Sequence, residues 1–445
     1  MRIRITPGET VAGVARVPGD KSIAHRWLLL ATIANGRSAL TGLPASLDVA
    51  STAAACAMLL AAPDQLAAWA RSIESGEPAA DGPISVEGRG RAALRSPDAA
   101  LDCGNSGTAM RLLAGVVAAS SIGVVLDGDD SLRARPMERV AEPLRRMGAG
   151  ITTVDGHAPL TVKGARLHGI TYEAAVPSAQ VKSAVLFAGI GAEGPTEVRE
   201  AIRTRDHTER ALKALGAPVI VSPSTGVIEV GPFEVEAFSG TVPGDVSSAA
   251  FLAAAAVVTR GEMTIERVGC NPTRTAFLRV LARMGVDVEL EETPTELGEP
   301  VGTLRVSSGR GIQGVIIGAT DLPGIIDEVP VLAAVSAHAE GQTRFVGAGE
   351  LRVKESDRLT GLRDMLRGLG GEAAIEGDDL IVGGGGLKGG TASSNGDHRM
   401  AMAAVVAALA AEGPSEIDGV EAAAVSFPGF TATMIDLGAR IEVLG

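Results

Sequence analysis

Basic side chains recur along this sequence at predicted helix starts, beside residues that turn the backbone or cap helices. The first case is residues 17–26, VPGDKSIAHR, which lead into an apolar segment. A helix start offers unpaired backbone N–H groups and a partial positive charge, to which Lys21 and Arg26 add full charges. The stretch therefore predicts a site for a phosphate or carboxylate, although a capped helix with surface charges explains it equally well.

Later stretches combine a turn-forming or capping residue with a basic or polar one in the same way. They hold Gly107 in the run GNSGT at 104–108, Arg135 before Pro136, Ser178 with Gln180, Arg205 before His207, and Arg399 after Asp397. The glycine-rich run allows close backbone approach to a ligand, but it matches neither the P-loop nor the dinucleotide fingerprint. A tight turn, surface charge, helix capping and a structural histidine are the plainer explanations of these stretches.

Two stretches of the second half place carboxylates among apolar residues. Asp327 follows two isoleucines and is a candidate general base, or else the cap of a helix over 331–339. Arg358 begins a row of apolar residues at helical spacing, with Lys354 and Glu355 just before it. A buried guanidinium is costly unless something anionic meets it, so the row disfavours a solvated helix face.

The composition limits what such sites could serve. The chain has 445 residues, a formal net charge of −13 and 2% aromatic residues. This balance disfavours nucleic acid as a partner but allows a small anionic substrate, because an arginine that touches a phosphate acts locally. We find no apolar run long enough for a membrane helix, no signal-peptide core, and only three scattered cysteines, which indicate neither disulfides nor a metal site. A reducing cytoplasm fits best.

Repeats indicate which elements position these residues. A helix ending with a capping glycine returns at intervals of about 70 residues, and a sixth ending is predicted at 58–61; the glycines are Gly148, Gly216, Gly285, Gly370 and Gly438. A second VPGD at 242–245 repeats the first half a chain later. We therefore predict an α/β (α+β) fold of two similar lobes, each of three strand–helix units. The first lobe would span 21–240, with an insertion at 62–83, and the second 1–20 plus 241–445. A cleft between two such lobes can close on a ligand.

Taken in order, these motifs resemble the 5-enolpyruvylshikimate-3-phosphate synthase family over nearly the whole chain. The matching stretches are PGDKS at 18–22 with Arg26, GNSGT at 104–108, RP at 135–136, SAQ at 178–180, RDHTE at 205–209, RVKESDR at 352–358 and DHR at 397–399. The forms SAQVK, RDHTE and NPTR at 271–274 resemble the second class of that family. The resemblance implies two lobes of the inside-out α/β barrel type, with helix starts directed into the gap between them.

The resemblance also implies a reaction. Members transfer the enolpyruvyl group of phosphoenolpyruvate to the 5-hydroxyl of shikimate 3-phosphate and release phosphate, on the route to chorismate and the aromatic amino acids. By the family's pattern Asp327 takes the proton of the attacking hydroxyl, Glu355 protonates the methylene carbon and Lys21 touches both substrates. We expect a cytoplasmic monomer that needs neither a metal nor a cofactor.

The resemblance assigns the remaining motif residues to the two substrates. Those expected to hold shikimate 3-phosphate are Lys21, Ser22, Arg26, Ser178, Ala179, Gln180, Arg205, Asp327 and Lys354. Those expected to hold phosphoenolpyruvate are Lys21, Gly107, Arg135, Gln180, Arg358 and Arg399. Gly107 is unsubstituted, and because extra bulk there excludes the inhibitor glyphosate in the family, we expect sensitivity to it.

Some positions depart from the family's pattern, and two rival functions stay open. Val425 stands where some members carry a lysine, for which Lys182 or another base is a candidate substitute, and Glu350 replaces an asparagine. The nearest rival is the enolpyruvyl transferase that acts on UDP-N-acetylglucosamine, whose cysteine-bearing loop would fall at 127–136, where this chain has no cysteine. The other rival is a non-catalytic phosphometabolite-binding protein, which the presence of both candidate carboxylates disfavours.

Overall fold

The computed structural model describes residues 1–60, 65–76 and 82–444, and its contacts separate two units. The first unit is Gly19–Val242 together with Thr295–Glu299, and the second unit consists of Met1–Pro18, Pro243–Pro294 and Pro300–Gly445. The short segment Thr295–Glu299 comes from the second half of the chain, and no sequence pattern indicated that it belongs with the first unit. It brings the Glu299 carboxylate within 2.7 Å of Nδ1 of His207, and both side chains are buried.

The secondary structure alternates helices with short strands. Among the described residues the helices are α1 (Lys21–Ile33), α2 (Leu47–Leu60), α3 (Gln65–Glu74), α4 (Gly107–Ala118), α5 (Asp130–Arg133), α6 (Glu138–Arg146), α7 (Ala179–Gly189), α8 (His207–Ala214), α9 (Val246–Val258), α10 (Ala276–Arg283), α11 (Val329–Ser336), α12 (Arg358–Gly368), α13 (His398–Leu409) and α14 (Phe430–Asp436). Short 3-10 turns cover Arg91–Ala93, Leu322–Gly324, Ala348–Val353 and Val420–Val425.

Most of the strands are short. In the same residues they are β1 (Arg2–Ile5), β2 (Gly13–Ala15), β3 (Asn35–Thr41), β4 (Ile84–Arg89), β5 (Leu101–Asp102), β6 (Gly123–Asp127), β7 (Gly150–Val154), β8 (His157–Lys163), β9 (Thr171–Glu173), β10 (Thr196–Arg199), β11 (Val219–Ser222), β12 (Val227–Val230), β13 (Ser239–Thr241), β14 (Glu262–Gly269), β15 (Asp287–Glu296), β16 (Glu299–Ser307), β17 (Ile316–Ile317), β18 (Gln342–Phe345), β19 (Ala373–Glu376), β20 (Asp379–Gly383), β21 (Thr391–Ser393), β22 (Ser415–Asp418) and β23 (Ile441–Val443).

The sheets of the two units follow one plan. In the part of the chain that the structure describes, the first unit has sheets β13-β3-β4, β5-β6-β8-β7 and β11-β12-β10-β9, and the second has β15-β16-β14-β2, β17-β18-β20-β19 and β21-β22-β1-β23. Each sheet joins one parallel pair to antiparallel strands; β5, for example, runs parallel to β6, which pairs antiparallel with β8. The register places Leu126 opposite Leu160, and both are buried. The predicted α/β fold of repeated strand–helix units is therefore confirmed.

The core of each unit consists of helices that are apolar on all sides. In the first unit α4 packs on α1 and α7, and in the second α9, α11 and α13 pack on one another. Every residue of α9, sequence VSSAAFLAAAAVV, is buried. A helix without a polar face is stable only when its whole surface is covered, so these segments form the core and the strands pack against them. Within the described ranges no helix is both long enough and apolar enough to cross a membrane.

The repeated helix ending has the geometry that the glycines predict. The five glycines have φ between 79° and 113°, a left-handed conformation that favours glycine. After each one, the next amide donates to the carbonyl five residues earlier, as Ala149 does to Leu144 at 3.1 Å and Ala439 to Met434 at 2.9 Å. This bond is the Schellman motif, so the capping prediction is confirmed. For the sixth ending, α2 is described as far as Leu60, and residue 61 lies outside the described residues.

The predicted insertion at 62–83 is only partly described. Its described part contains α3, which buries Leu66, Trp69 and Ile73 and packs on α2 and β4. Residues 62–64 and 77–81 lie outside the described residues. The prediction that the insertion is partly helical is thus confirmed for Gln65–Glu74.

Candidate active site

The three core helices of the first unit each begin at a side-chain cap. Asp20, Ser106 and Ser178 accept hydrogen bonds from first-turn amides at 3.0, 3.1 and 3.4 Å. The first four amides of a helix have no partner in the preceding turn, and the helix dipole adds positive potential there. One cap satisfies only part of this demand, so the starts of α1, α4 and α7 are suited to binding anions.

Gln180, in the first turn of α7, joins two of these starts. Its Nε2 donates to Oγ1 of Thr108 at 2.7 Å, and its Oε1 accepts from Nη1 of Arg111 at 2.5 Å. Arg111 is buried one turn after Gly107, and a Cβ atom on Gly107 would lie 2.7 Å from Nη1 of Arg111 and 3.3 Å from Nη1 of Arg135. Two guanidinium groups therefore converge on a position that only glycine leaves open.

Two further cationic groups are Lys21, the first residue of α1, and Arg135, which lies just after the end of α5. Nζ of Lys21 lies 2.5 Å from Oδ2 of Asp48, and its side chain is 18% exposed. Nη2 of Arg135 donates to Oδ1 of Asn105 at 2.5 Å. Both predicted residues are half-buried, so each is held by a partner while part of its surface stays accessible.

Arg26 is placed differently from the exposed cation that a substrate contact would suggest. It is 2% exposed, and its three donor groups reach the Ser22 carbonyl at 2.6 Å, Oγ1 of Thr208 at 2.8 Å and Oγ of Ser183 at 2.7 Å. Burial lowers the pKa of Arg26 to about 10, against the effect of Glu209. Arg26 therefore ties the start of α1 to α7 and α8.

The other predicted residues of the first unit lie at or just before helix starts. Ser22 and Ala179 occupy the first turns of α1 and α7, so their amides belong to the helix starts described above. Arg205 is half-buried in the loop between β10 and α8, two residues before the helix begins at His207.

In the second unit three carboxylates surround Arg358. This residue is 0% exposed at the start of α12, with Nε 2.8 Å from Oδ2 of Asp397, Nη2 2.6 Å from Oε2 of Glu355 and Nη1 3.6 Å from Oδ1 of Asp327. Burial alone would lower the pKa of Arg358, but Glu355, Asp397 and Asp327 raise it above its ordinary value. The anionic partners expected from the buried row are thus supplied by the protein itself.

Arg399 contacts the same acidic group from the start of α13. Its Nη1 donates to the backbone carbonyl of Asp327 at 2.9 Å, and its Nη2 lies 3.9 Å from Oδ2 of that residue. Asp327 does not cap a helix, because α11 begins at Val329 after Glu328. The structure therefore brings Asp327, Glu355, Arg358 and Arg399 together in one cluster.

Glu328 is a member of this cluster that sequence reasoning did not single out. It is 1% exposed, accepts a hydrogen bond from the Ser247 hydroxyl and lies 3.9 Å from Nη1 of Arg399. Ser247 in turn accepts from Nη2 of Arg274 at 2.7 Å. Ser247 lies in the first turn of α9, Arg399 lies in the first turn of α13, and Glu328 directly precedes α11, so Glu328 links the starts of all three core helices of the second unit.

Lys354 lies apart from that cluster's charge pairs. It follows the 3-10 turn Ala348–Val353 and precedes α12, so it does not share a helix with Arg358. Its Nζ is 3.8 Å from Oε1 of Glu350, and its side chain is 23% exposed. Within residues 1–60, 65–76 and 82–444 no group of three or more His, Cys, Asp or Glu side chains is arranged to hold a metal ion.

The match to known families covers almost the whole of this arrangement. A family model described as EPSP synthase (3-phosphoshikimate 1-carboxyvinyltransferase) matches residues 5–434. The chain belongs to the EPSP synthase family.

Similar proteins and structures agree with this membership. A 3-phosphoshikimate 1-carboxyvinyltransferase of Halorhodospira halophila is 46% identical over 99% of this chain and 97% of its own length. One of Acidithiobacillus ferrooxidans is 44% identical over 99% of both chains. A solved structure of EPSP synthase from Acinetobacter baumannii is 38% identical and superposes with a TM-score of 0.85, covering 99% of both chains.

One expectation drawn from the EPSP synthase pattern is wrong. Lys182 was a candidate substitute for the lysine that is absent at Val425. The structure buries it at 1% exposure, with Nζ 2.8 Å from Oε2 of Glu200 and 2.8 Å from Oε1 of Glu209. An ammonium group held by two buried carboxylates is not available to a substrate, so Lys182 has another role.

The residues that sequence reasoning missed did carry a signal in this sequence. Arg111 is a single charge inside the apolar helix α4, and Glu328 is a second acid directly after Asp327. Charges rarely occupy fully buried positions without partners. Each could therefore have been recognised as a member of a polar cluster, although not assigned to a particular partner.

Proposed function

We propose that this protein transfers the enolpyruvyl group of phosphoenolpyruvate to the 5-hydroxyl of shikimate 3-phosphate and releases phosphate, in chorismate and aromatic amino-acid biosynthesis. The observation that carries the proposal is the cluster around Arg358, where the carboxylates of Asp327 and Glu355 approach one guanidinium. Addition to a double bond followed by elimination needs one group that gives a proton and one that accepts a proton. Membership of the EPSP synthase family over residues 5–434 supports the same conclusion.

The two carboxylates divide the proton transfers. Glu355 delivers a proton to the methylene carbon of phosphoenolpyruvate, which makes the neighbouring carbon cation-like. The 5-hydroxyl oxygen bonds to that carbon while Asp327 accepts the hydroxyl proton, and a tetrahedral adduct forms. Glu355 then takes a proton back from the methyl group, the double bond is restored, and phosphate leaves with the electrons of the carbon–oxygen bond. Each acid–base step typically contributes ~10² to 10⁴ in rate.

Shikimate 3-phosphate has the larger set of assigned residues in this proposal. The residues that we assign to it are Lys21, Ser22, Arg26, Ser178, Ala179, Gln180, Arg205, Asp327 and Lys354. The start of α7 supports the assignment, because Ser178 and Ala179 present a helix start to an anion. Arg26 is 2% exposed and donates a hydrogen bond to the Ser22 carbonyl. Its main part in binding shikimate 3-phosphate is therefore to fix the α1 start, since little of its own surface is accessible to the substrate.

Phosphoenolpyruvate carries a phosphate and a carboxylate, and the residues assigned to it are correspondingly basic. They are Lys21, Gly107, Arg135, Gln180, Arg358 and Arg399. The position of Gly107 supports this assignment, because a side chain there would meet both Arg111 and Arg135. Charge-assisted hydrogen bonds from such groups stabilise the negative charge that builds up on the departing phosphate. Lys21 is assigned to both substrates and counts as the third catalytic residue.

Finer properties belong to the same proposal. The forms SAQVK, RDHTE and NPTR support assignment to the second class of the family. We also propose a monomer that acts in the cytoplasm on small molecules and uses no nucleic acid, membrane or cofactor. Mass photometry of the purified protein at nanomolar to micromolar concentration tests the monomer, and an observed dimer would contradict it.

The acceptor decides between this function and its rivals. The test measures phosphate release from phosphoenolpyruvate with shikimate 3-phosphate, with UDP-N-acetylglucosamine and without an acceptor. We expect phosphate release with shikimate 3-phosphate only. When the enolpyruvyl group of phosphoenolpyruvate carries an isotope label, we expect the label in the product. Release with the nucleotide sugar would favour the sister transferase, and binding of shikimate 3-phosphate without turnover would favour a phosphometabolite-binding protein.

A further inference from the structure

Three buried ionic residues of the first unit have no part in the proposed chemistry. Lys182 lies on α7, one turn after the cap Ser178, and its ammonium group contacts Glu200 and Glu209 at 2.8 Å each. The three side chains are only 1%, 2% and 5% exposed. Removing ions from water is expensive, and an apolar trio of similar volume would often be as stable. Stability alone therefore does not explain why these three charged residues are buried together.

The two carboxylates come from two other elements of the unit. Glu200 follows β10, and Glu209 lies in the first turn of α8. The carboxylate of Glu200 accepts a hydrogen bond from the hydroxyl of Thr204, and at 3.4 Å another from the Thr204 amide. Thr204 directly precedes Arg205, so Glu200 closes the loop that presents this arginine.

The other side of the cluster leads to Arg26. Thr208, next to Glu209 on α8, accepts from Nε of Arg26 at 2.8 Å and donates to Oγ of Ser183 at 2.8 Å. Ser183 is next to Lys182 on α7 and accepts from Nη2 of Arg26 at 2.7 Å. One pair of adjacent residues on α7 thus holds both the arginine that fixes the α1 start and the loop that carries Arg205.

The buried charges of this cluster act on one another. Lys182 forms ion pairs with both Glu200 and Glu209, and the charge of Glu209 also acts on Arg26. Burial raises the pKa of Glu209 despite the opposing effect of Lys182, while Glu209 is the strongest influence that opposes the lowering of the pKa of Arg26 by burial. Loss of one member would leave another charge buried without its partner, which would displace the elements that carry them.

We propose that Lys182, acting through Glu200 and Glu209, is a positioning residue that holds the α7 start, the Arg205 loop and Arg26 in the geometry that binds shikimate 3-phosphate. This inference rests on the proposed function. It explains why an ammonium group is buried below the α7 start, a place where it cannot touch a substrate. It also predicts that the cluster affects shikimate 3-phosphate more than phosphoenolpyruvate, because Glu200 holds Thr204 next to Arg205, which is assigned to shikimate 3-phosphate alone.

The decisive variant is Thr204→Val, which keeps the shape of the side chain and removes the hydroxyl that binds Glu200. Thr204 is half-buried, so the variant is expected to fold. We expect the KM for shikimate 3-phosphate to rise about tenfold, the loss of one hydrogen bond to a charged group, with kcat and the KM for phosphoenolpyruvate within about twofold of the parent. Calorimetric titration with shikimate 3-phosphate alone should give the same rise in Kd. Thr225→Val is the matched control, because Thr225 is an exposed turn residue of the same unit.

Variants of Lys182 test the centre of the cluster. Lys182→Met combined with Glu200→Gln removes one cation and one anion, so the net charge of the protein does not change. We expect this double variant to lose at least as much affinity for shikimate 3-phosphate as Thr204→Val does. The single variant Lys182→Arg keeps the positive charge, so its loss of affinity should be smaller than that of the double variant. If the double variant fails to fold, Thr204→Val and Lys182→Arg decide the question.

The outcomes separate this inference from the function on which it rests. Unchanged KM and Kd for shikimate 3-phosphate in Thr204→Val would overturn the inference, as would equal losses for both substrates, since these indicate a general structural effect. Parent protein without turnover on shikimate 3-phosphate and phosphoenolpyruvate would overturn the proposed function instead. A selective loss in an otherwise active enzyme supports both.

Discussion

Replacing Gly107 by alanine offers a sharp test of the phosphoenolpyruvate site. The added Cβ would lie 2.7 Å from Nη1 of Arg111 and 3.3 Å from Nη1 of Arg135. To reach an ordinary van der Waals separation the Arg111 guanidinium must retreat by about 0.7 Å. Nη1 of Arg111 also donates to Oε1 of Gln180 at 2.5 Å, so this movement strains the link between α4 and α7.

The expected magnitude follows from the bonds at risk. A hydrogen bond to a charged group contributes about 1.5–3 kcal/mol, and about 1.4 kcal/mol corresponds to a factor of ten in binding. We therefore expect Gly107→Ala to raise the KM for phosphoenolpyruvate about ten- to a hundredfold, while the KM for shikimate 3-phosphate changes much less. The assay is phosphate release with each substrate varied in turn. We expect glyphosate to inhibit the parent. In Gly107→Ala the inhibition constant for glyphosate should rise by a larger factor than the KM for phosphoenolpyruvate.

A control and a refuting result complete this test. Gly123→Ala adds the same methyl group at the start of β6, where the Cβ would lie 3.9 Å from the Val162 carbonyl oxygen, and should leave all constants unchanged. An unaltered KM for phosphoenolpyruvate in Gly107→Ala would refute the assignment of this position. Parent enzyme that turns over normally in millimolar glyphosate would contradict the expected sensitivity.

Three further predictions concern single groups. In the parent, Nη2 of Arg358 lies 2.6 Å from the Glu355 carboxylate; Glu355→Gln keeps an oxygen at this place but cannot supply the proton, so kcat should fall by at least about 100-fold, with the calorimetric Kd for shikimate 3-phosphate retained. Glu328→Gln removes a buried charge 3.9 Å from Arg399 and should lower the free energy of unfolding, measured in urea, by about 3 kcal/mol. Burial, with Lys21 and Arg26 adding to it, lowers the pKa of His25 well below its usual value. Below about pH 6.5, His25 is protonated in the unfolded chain but not in the native state. The free energy of unfolding should therefore fall as the pH drops below about 6.5, by up to about 1.4 kcal/mol per pH unit. In His25→Asn this dependence on pH should be weaker.

Each of these predictions has an outcome that contradicts it. Full turnover in Glu355→Gln would refute the assigned acid. For Glu328→Gln the matched control is Glu340→Gln at an exposed position, and equal unfolding free energies of the two variants would mean that the buried charge is not needed. Parallel pH profiles of the parent and His25→Asn between pH 7.5 and 5.5 would show that His25 is not the group that titrates.

Local signals in the sequence predicted the elements of this fold well. The five capping glycines all adopt a positive φ, because only glycine takes that conformation without a steric penalty. Segments such as VSSAAFLAAAAVV could be recognised as core helices, because a helix that is apolar on all sides has no face for water. Arg358 could be recognised as buried from its place in an apolar row, and the structure leaves it 0% exposed.

What the sequence did not indicate is which residues would become partners. A buried guanidinium requires a counter-charge, but any of the 53 acidic residues could provide one. The packing of helix starts selected Asp397 for Arg358, at a distance of 39 residues along the chain. The same packing placed Lys182 between Glu200 and Glu209, although the resemblance to the family had made it a candidate for the lysine that is absent at Val425.

The sequence by itself thus determined the repeated units, their capped ends, the apolar core helices and the motifs of the family, because each depends on residues a few positions apart. Only the tertiary structure decided that Glu328 joins the starts of three helices and that Arg111 meets Gln180 beside Gly107. These contacts depend on where separate elements come to lie, and burial makes their pairing obligatory without naming the partner. The physical reason is that hydrophobic patterning acts over one helix, whereas a buried charge is satisfied only after helices have packed.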